Sequence, residues 1–409
     1  MLIPAWISFI IAITIAMVLS KKDLGIGLFL GAILFAILAE VDMIQAAAVV
    51  FLSFENLLLG FTVFLIPILG GLMQRSKLMI DLIDNMNVSK RTALMISPAM
   101  FGLLPIAGGA LMSAPLVEEV GSEVSERRKV VINVWFRHVL ILVYPLQASL
   151  IVASEMAGLS LYTAIGTLLI PCFIMIVIGY FTLVRPIETE DKEERDRNLK
   201  IVLRNIFPLI LAPLIDIVGR YLIVPIVPGL LPEMFMLIGL IISIFTAIRF
   251  SAMGFKNIEQ TSASEIKVIM KDMSIWKYPV LIYAIFFFLE VFKNSSVPSL
   301  IASLELNFYI FLVIAFLLGF ATGRVQLPIT ILIPIYLGQY GFSTMPLFMF
   351  SLLYCAVFLG YVITPVHPCV AYSLNYYKIG FKDILRGISL STGVCFIILI
   401  IVYAASAVF

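Results

Sequence analysis

The chain is 409 residues long, 62% hydrophobic and 13% charged, with a formal net charge of +2. A soluble globular domain is excluded, because its surface must be largely polar or charged, and the near-neutral balance argues against a nucleic-acid partner. Four cysteines (Cys172, Cys355, Cys369, Cys395) without CxxC spacing suggest neither disulfides nor zinc, and two histidines, His138 and His367, are too few for a histidine metal cluster.

The expected fold is an all-α polytopic membrane protein, since the apolar runs repeat near bilayer length without internal charge. From the N-terminus, spans are predicted at residues 2–20, 24–39 and 54–74. The first has no basic residue before it and Lys21 and Lys22 after it, the reverse of a secretory signal, so it reads as a retained span. Residues 92–117 come next and contain "GLLPIAGGALMSAPL", apolar enough for lipid yet rich in the two residues that most weaken a helix interior. Spans follow at 131–154, broken at Pro145, and at 159–184. A charged stretch, 185–204, reads as a solvated linker before spans at 206–218, 234–248 and 278–291. Residues 307–340 form the second Gly/Pro stretch, with "FATGRVQLPIT" inside it. The last spans are 346–363, followed by a break at Pro365 and Pro368, and 387–408.

Basic residues favour the cytoplasmic side of a membrane. If 92–117 and 307–340 dip in and return, 23 of the 27 Lys and Arg fall on one side. If both cross, 14 of them move outward. The two stretches are therefore expected to be re-entrant hairpins, because a broken backbone facing lipid would leave polar groups unsatisfied at several kcal/mol each. The competing reading, a kinked span packed through small residues, does not account for the charge distribution. Both termini are then outside and 185–204 is cytoplasmic.

"VYPLQASLIVAS" and "ITPVHPCVAYSL" superpose on Pro145 and Pro365, and Pro115 and Pro334 match at nearly the same offset. Residues 1–184 and 205–409 thus read as two five-span halves, each with a hairpin and a proline-broken helix: about ten spans plus two hairpins. Five is odd, so the second half enters the membrane inverted, the design in which broken helices of secondary transporters meet near the midplane.

Candidate binding groups follow from that convergence. The first tip offers Gly108, Gly109 and Ser113, and the first break Gln147 and Ser149. The second tip offers Thr322, Gly323, Arg324, Gln326 and Thr330, and the second break Thr364 and His367. Arg324 is the only charge between Leu306 and Tyr340, and a guanidinium matches carboxylate geometry. Its alternatives are an internal pair with Glu290 or Glu55, or a tip that reaches headgroup water. Arg137 and His138 lie only a few residues into their span, and Arg137 reads as snorkelling to the cytoplasmic surface, with substrate contact as the alternative. His367 is either an anion or proton ligand or a satisfied buried imidazole. Asp216 and Arg220, at i and i+4, read as a local ion pair.

"GLLPIAGGALMSAPLVEEV" and "TPVHPCVAYSLNYYKIGFKDILRG" resemble the ion-transporter superfamily, the clan of gluconate permeases and divalent-anion symporters. More narrowly, they resemble an uncharacterised prokaryotic integral-membrane family in it. The resemblance implies a homodimer in which the hairpins and broken helices move as an elevator against a scaffold. It carries over to Gly108, Gly109 and Ser113 in one tip and to Thr322, Gly323 and Thr330 in the other. The Ser-Asn-Thr tips of the sodium/dicarboxylate members are absent here. The expected function is secondary active transport of a small organic anion, a carboxylate or sugar acid, across the cell membrane. Coupling would be to H⁺ or Na⁺, with no cofactor and no resident metal. An inorganic-ion exchanger is the alternative. An enzyme is not expected, since no paired aspartate, HExxH helix or Ser/His pair is evident.

Overall fold

The structure is a computed structural model and describes residues 4–86, 88–104, 109–188, 198–254, 263–303 and 306–406. The described residues are helical with short connections and contain no strand. The first ten helices are α1 (Ala5–Ser20), α2 (Leu24–Leu38), α3 (Met43–Phe51), α4 (Phe54–Arg75), α5 (Leu78–Asp84), α6 (Lys90–Gly102), α7 (Gly109–Val120), α8 (Glu126–Val139), α9 (Ala148–Met156) and α10 (Leu161–Gly179). The next ten are α11 (Leu199–Val218), α12 (Glu233–Gly254), α13 (Ala263–Asp272), α14 (Lys277–Asn294), α15 (Val297–Ala302), α16 (Phe308–Thr322), α17 (Gln326–Tyr340), α18 (Leu347–Ile363), α19 (Pro368–Tyr377) and α20 (Phe381–Ser406).

Many helix starts are written locally. Asp23, Asp42, Ser53, Ser89, Ser160, Asn198 and Asn307 each stand immediately before a helix and accept a first-turn N–H. These are the side chains that satisfy the donors a helix N-terminus leaves free.

Packing runs in parallel through the two sets. α1 lies on α2 as α11 lies on α12, and α2 packs on α14 as α12 packs on α4. Hairpin arm α6 packs on α8 as α16 packs on α18, and α7 meets α19 as α17 meets α9. Six helices are long and apolar enough to cross a membrane, or up to eight if each bent pair is one span. α1 and α2 have only 16 and 15 residues, roughly 23 Å at 1.5 Å per residue against about 30 Å of hydrocarbon. Large apolar side chains such as Ile10, Ile37, Phe173, Leu222 and Phe245 are exposed on the outside of the bundle, as lipid requires and water does not. The chain is a polytopic all-α membrane protein.

Several boundaries differ from the sequence reading. Four short helices, α3, α5, α13 and α15, occupy stretches read as connections. α11 begins at Leu199, inside the stretch read as linker, of which residues 189–197 lie outside the described ones. The span read as 131–154 begins at Glu126, and the last begins at Phe381 rather than at 387.

The expected Asp216–Arg220 pair forms, Nε to Oδ2 at 2.9 Å, and Arg220 also reaches Glu233 at 3.2 Å. Tyr162 donates its hydroxyl to Asp216 at 2.8 Å. Asp216 has no exposed side-chain surface, so removing Arg220 would leave a buried carboxylate short of its cation. Arg220→Met should destabilise the protein by about 3–5 kcal/mol. Adding Asp216→Asn should restore part of that, as read by thermal denaturation in detergent. Equal melting of parent and Arg220→Met would show the pair to be solvated instead.

Candidate functional site

The site is built on the two proline breaks. α8 continues through a 3₁₀ turn, Leu140–Val143, and the chain is then non-helical until α9 starts at Ala148. α18 ends at Ile363, and α19 starts at Pro368. Pro365 and Pro368 have no N–H to donate, which ends one helix and suits the first turn of the next. Inside the second break, Thr364 Oγ1 accepts the Val366 N–H at 3.3 Å, and the His367 N–H reaches the Thr364 carbonyl at 3.2 Å.

The turn of the second hairpin seats against that break. Gly323 caps α16 at φ 60°, a conformation glycine adopts without a Cβ penalty. A Cβ there would stand 3.1 Å from the Val366 carbonyl carbon and 3.2 Å from the His367 nitrogen. Bare backbone is what allows tip and break to touch.

Around His367 three side chains converge from α8, α18 and α19. The Tyr361 ring lies tilted by 31° against His367 with centroids 4.0 Å apart, and the His138 ring stands edge-on at 4.7 Å from His367 and 5.4 Å from Tyr361. Cys369 Sγ belongs to the same group. His138 Nδ1 lies 2.6 Å from the Val134 carbonyl, which puts the proton on Nδ1 and leaves Nε2 with a bare lone pair.

Beside them is Arg137, 3% exposed. Its Nε and Nη1, with His138 Nε2 and His367 Nδ1, are buried and have no hydrogen-bond partner among the described residues. Neither does Arg137 form an ion pair among them. Burying a charge or a polar atom without a partner is costly, so an unpaired guanidinium beside two unpartnered imidazole nitrogens marks a site shaped for something else. This corrects the reading of Arg137 as a snorkelling residue. α8 starts at Glu126, so Arg137 lies about 16 Å along the helix at 1.5 Å per residue, and at 3% exposure its side chain does not reach the surface.

The other sequence-predicted residues divide into two groups. Ser149, 1% exposed, meets the Tyr354 hydroxyl at 3.2 Å, and Gln147 donates to Ser149 at 3.2 Å. These form a second polar knot at the first break, equivalent in position to His367 and Cys369. Ser113, Thr322 and Thr330 direct hydroxyls to carbonyls of their own helices, Ala110 at 3.4 Å, Leu318 at 2.7 Å and Gln326 at 2.8 Å. Gly109 opens α7, and Gly108 lies outside the described residues. Gln326 opens α17. Arg324 is half-buried in the second turn, with neither Glu290 nor Glu55 as an ion-pair partner. Glu290 instead accepts from Asn294 at 2.9 Å. Glu55 lines an open cavity of about 300 Å³ with Glu155, Ser160, Arg220 and Glu233.

A solved structure has a similar fold: the crystal structure of the Alcanivorax borkumensis YdaH transporter, described as having an unusual topology. It aligns at TM-score 0.57 over 88% of this chain and 87% of that one, with 15% identity. At that identity the likeness shows the fold alone. Comparison with curated proteins finds no match. A family model described as "Protein of unknown function (DUF401)" matches residues 5–406, nearly the whole chain, and the protein belongs to that family.

Proposed function

We propose that the protein is a secondary active transporter for a small organic anion, a carboxylate or sugar acid, with Arg137 as the anion's principal cation. The observation that carries this reading is the buried guanidinium without a carboxylate partner among the described residues. An anion that shed its water there would gain charge-assisted hydrogen bonds to a guanidinium whose Nε and Nη1 have no partner among the described residues. His138 Nε2 and His367 Nδ1, which have no partner among the described residues, would each take up a coupling proton and, once protonated, donate to the anion's remaining oxygens. Na⁺ is the other candidate coupling ion.

The parallel order and packing of α1–α10 and α11–α20 support a repeat of two halves, 1–184 and 205–409; the distribution of Lys and Arg favours their inversion, with a cytoplasmic segment between them and both termini outside. A break and a hairpin turn that touch, as His367 and Gly323 do, suit a unit that carries its ligand as one body against the remaining helices, an elevator in the manner of the ion-transporter superfamily. The likeness to YdaH, itself described as a transporter, supports the same reading.

Purified protein in proteoliposomes should accumulate radiolabelled carboxylates or sugar acids, saturably, when an inward H⁺ or Na⁺ gradient is imposed. Gradient-driven ion exchange with no organic anion required, and none taken up, would replace this reading with an inorganic-ion exchanger.

A further inference from the structure

We propose that His138, His367 and Cys369 form a binding site for a borderline or soft transition-metal ion, of which Zn²⁺ is the type. The inference goes beyond anion transport and stands on Cys369 and the two imidazole lone pairs rather than on the Arg137 guanidinium. The ligand atoms of the three residues lie within 4.8 Å of one another. A Zn²⁺ with Zn–N near 2.0 Å and Zn–S near 2.3 Å, in tetrahedral geometry, sets these three ligand atoms about 3.3–3.5 Å apart. Small side-chain rotations close that difference, because α8 and α19 are packed directly on each other.

The protonation pattern is the one a metal needs. A metal-binding imidazole commonly donates its other N–H to a carbonyl, which fixes the tautomer and aims the lone pair. His138 does this through Nδ1 to Val134 and presents Nε2, which is buried and without a partner among the described residues. His367 presents Nδ1 in the same condition. Its ring plane is held by Tyr361 tilted against it at 4.0 Å, and its backbone is fixed as the N-cap of α19 between Pro365 and Pro368. Cys369 is the second residue of α19, so one helix start delivers both a nitrogen and a sulfur ligand. On binding, the Cys369 thiol gives up its proton to solvent and coordinates as thiolate. That negative charge offsets part of the repulsion from Arg137.

Three protein ligands leave the fourth position of a tetrahedral ion open, as in zinc sites that bind an exogenous ligand rather than closed structural ones. The nearby guanidinium makes an anion the natural fourth ligand. The metal would then be either a resident ion or cargo.

Co²⁺ titration of the purified, detergent-solubilised protein tests the site directly. One equivalent should bind, with tetrahedral d–d absorption and a thiolate-to-cobalt charge-transfer band, and Zn²⁺ should displace it. Cys369→Ser should lose the charge-transfer band, although Cys172, Cys355 and Cys395 remain. His138→Ala and His367→Ala should each weaken Zn²⁺ binding about tenfold or more. Size-exclusion elution like that of the parent verifies that each variant is folded. Absence of stoichiometric Co²⁺ binding by the parent, or a band that persists in folded Cys369→Ser, overturns the proposal. Neither result bears on uptake of an organic anion, so failure here is distinct from failure of the transport reading.

Discussion

Arg137→Met is expected to abolish anion uptake while leaving the ligand-free protein at least as stable as the parent. The two effects have opposite sign because the residue's cost and its use fall in different states. In the ligand-free protein the guanidinium is 3% exposed, with two nitrogens that find no partner among the described residues. Replacing it with an unbranched apolar side chain removes a desolvated charge, so stability should rise by about 1–3 kcal/mol. In the complex the same substitution removes the charge opposite the anion. Loss of one partner from a buried charged pair is worth about 2–5 kcal/mol, at least roughly 30-fold in affinity. Thermal denaturation in detergent with and without substrate reads both halves. The parent should melt higher when ligand is added, and Arg137→Met should melt at or above the ligand-free parent and ignore ligand. A variant that melts far below the parent yet still transports would make Arg137 a structural residue.

Much of the scaffold was legible because membrane physics leaves strong marks. The prolines at 145 and 365 lie in breaks of the same length, and α9 and α19 start at corresponding positions. Each Gly/Pro stretch holds two packed helices close to the predicted limits, α6 with α7 and α16 with α17. Short connecting helices such as α3 and α13 were not legible, since they fall in stretches read only as connections between spans. The site was half legible. His367 could be singled out because two prolines isolate it from regular helix. Arg137 and His138 were misplaced because packing, not local sequence, buries them: α8 lies against α6, α7 and α19, and both residues are buried there. Lys129, in the basic run that reads as a membrane edge, is likewise buried and pairs with Glu118 at 2.7 Å. The meeting of His138 with His367 and Cys369 has no local signature, because only the packing of α8 on α19 brings them together.

Gly319→Ala, a change of one methyl group, is expected to be among the most damaging single substitutions in the chain. α16 and α18 cross so closely that a Cβ at Gly319 would land on the Val357 carbonyl oxygen, well inside van der Waals contact. The crossing is reciprocal, since a Cβ at Gly360 would land on the Phe316 carbonyl oxygen. In both cases the obstacle is helix backbone, which cannot rotate away as a side chain can. Either the helices separate and lose contact along their length, or the α18 turn unwinds where its polar groups have no water to turn to. The loss should be on the order of 3 kcal/mol or more. Combining Gly319→Ala with Gly360→Ala should cost less than the sum, because one separation accommodates both methyls. Gly166→Ala in α10 is the internal control, as its Cβ would meet nothing within 4 Å and should be neutral or stabilising by about 0.5–1 kcal/mol. Yield of monodisperse protein and the melting temperature in detergent measure all four variants. Gly319→Ala melting level with Gly166→Ala would mean that the hairpin and the broken helix are not held at this crossing. The α16–α18 contact would then be too loose to carry the second tip and the His367 break as one body.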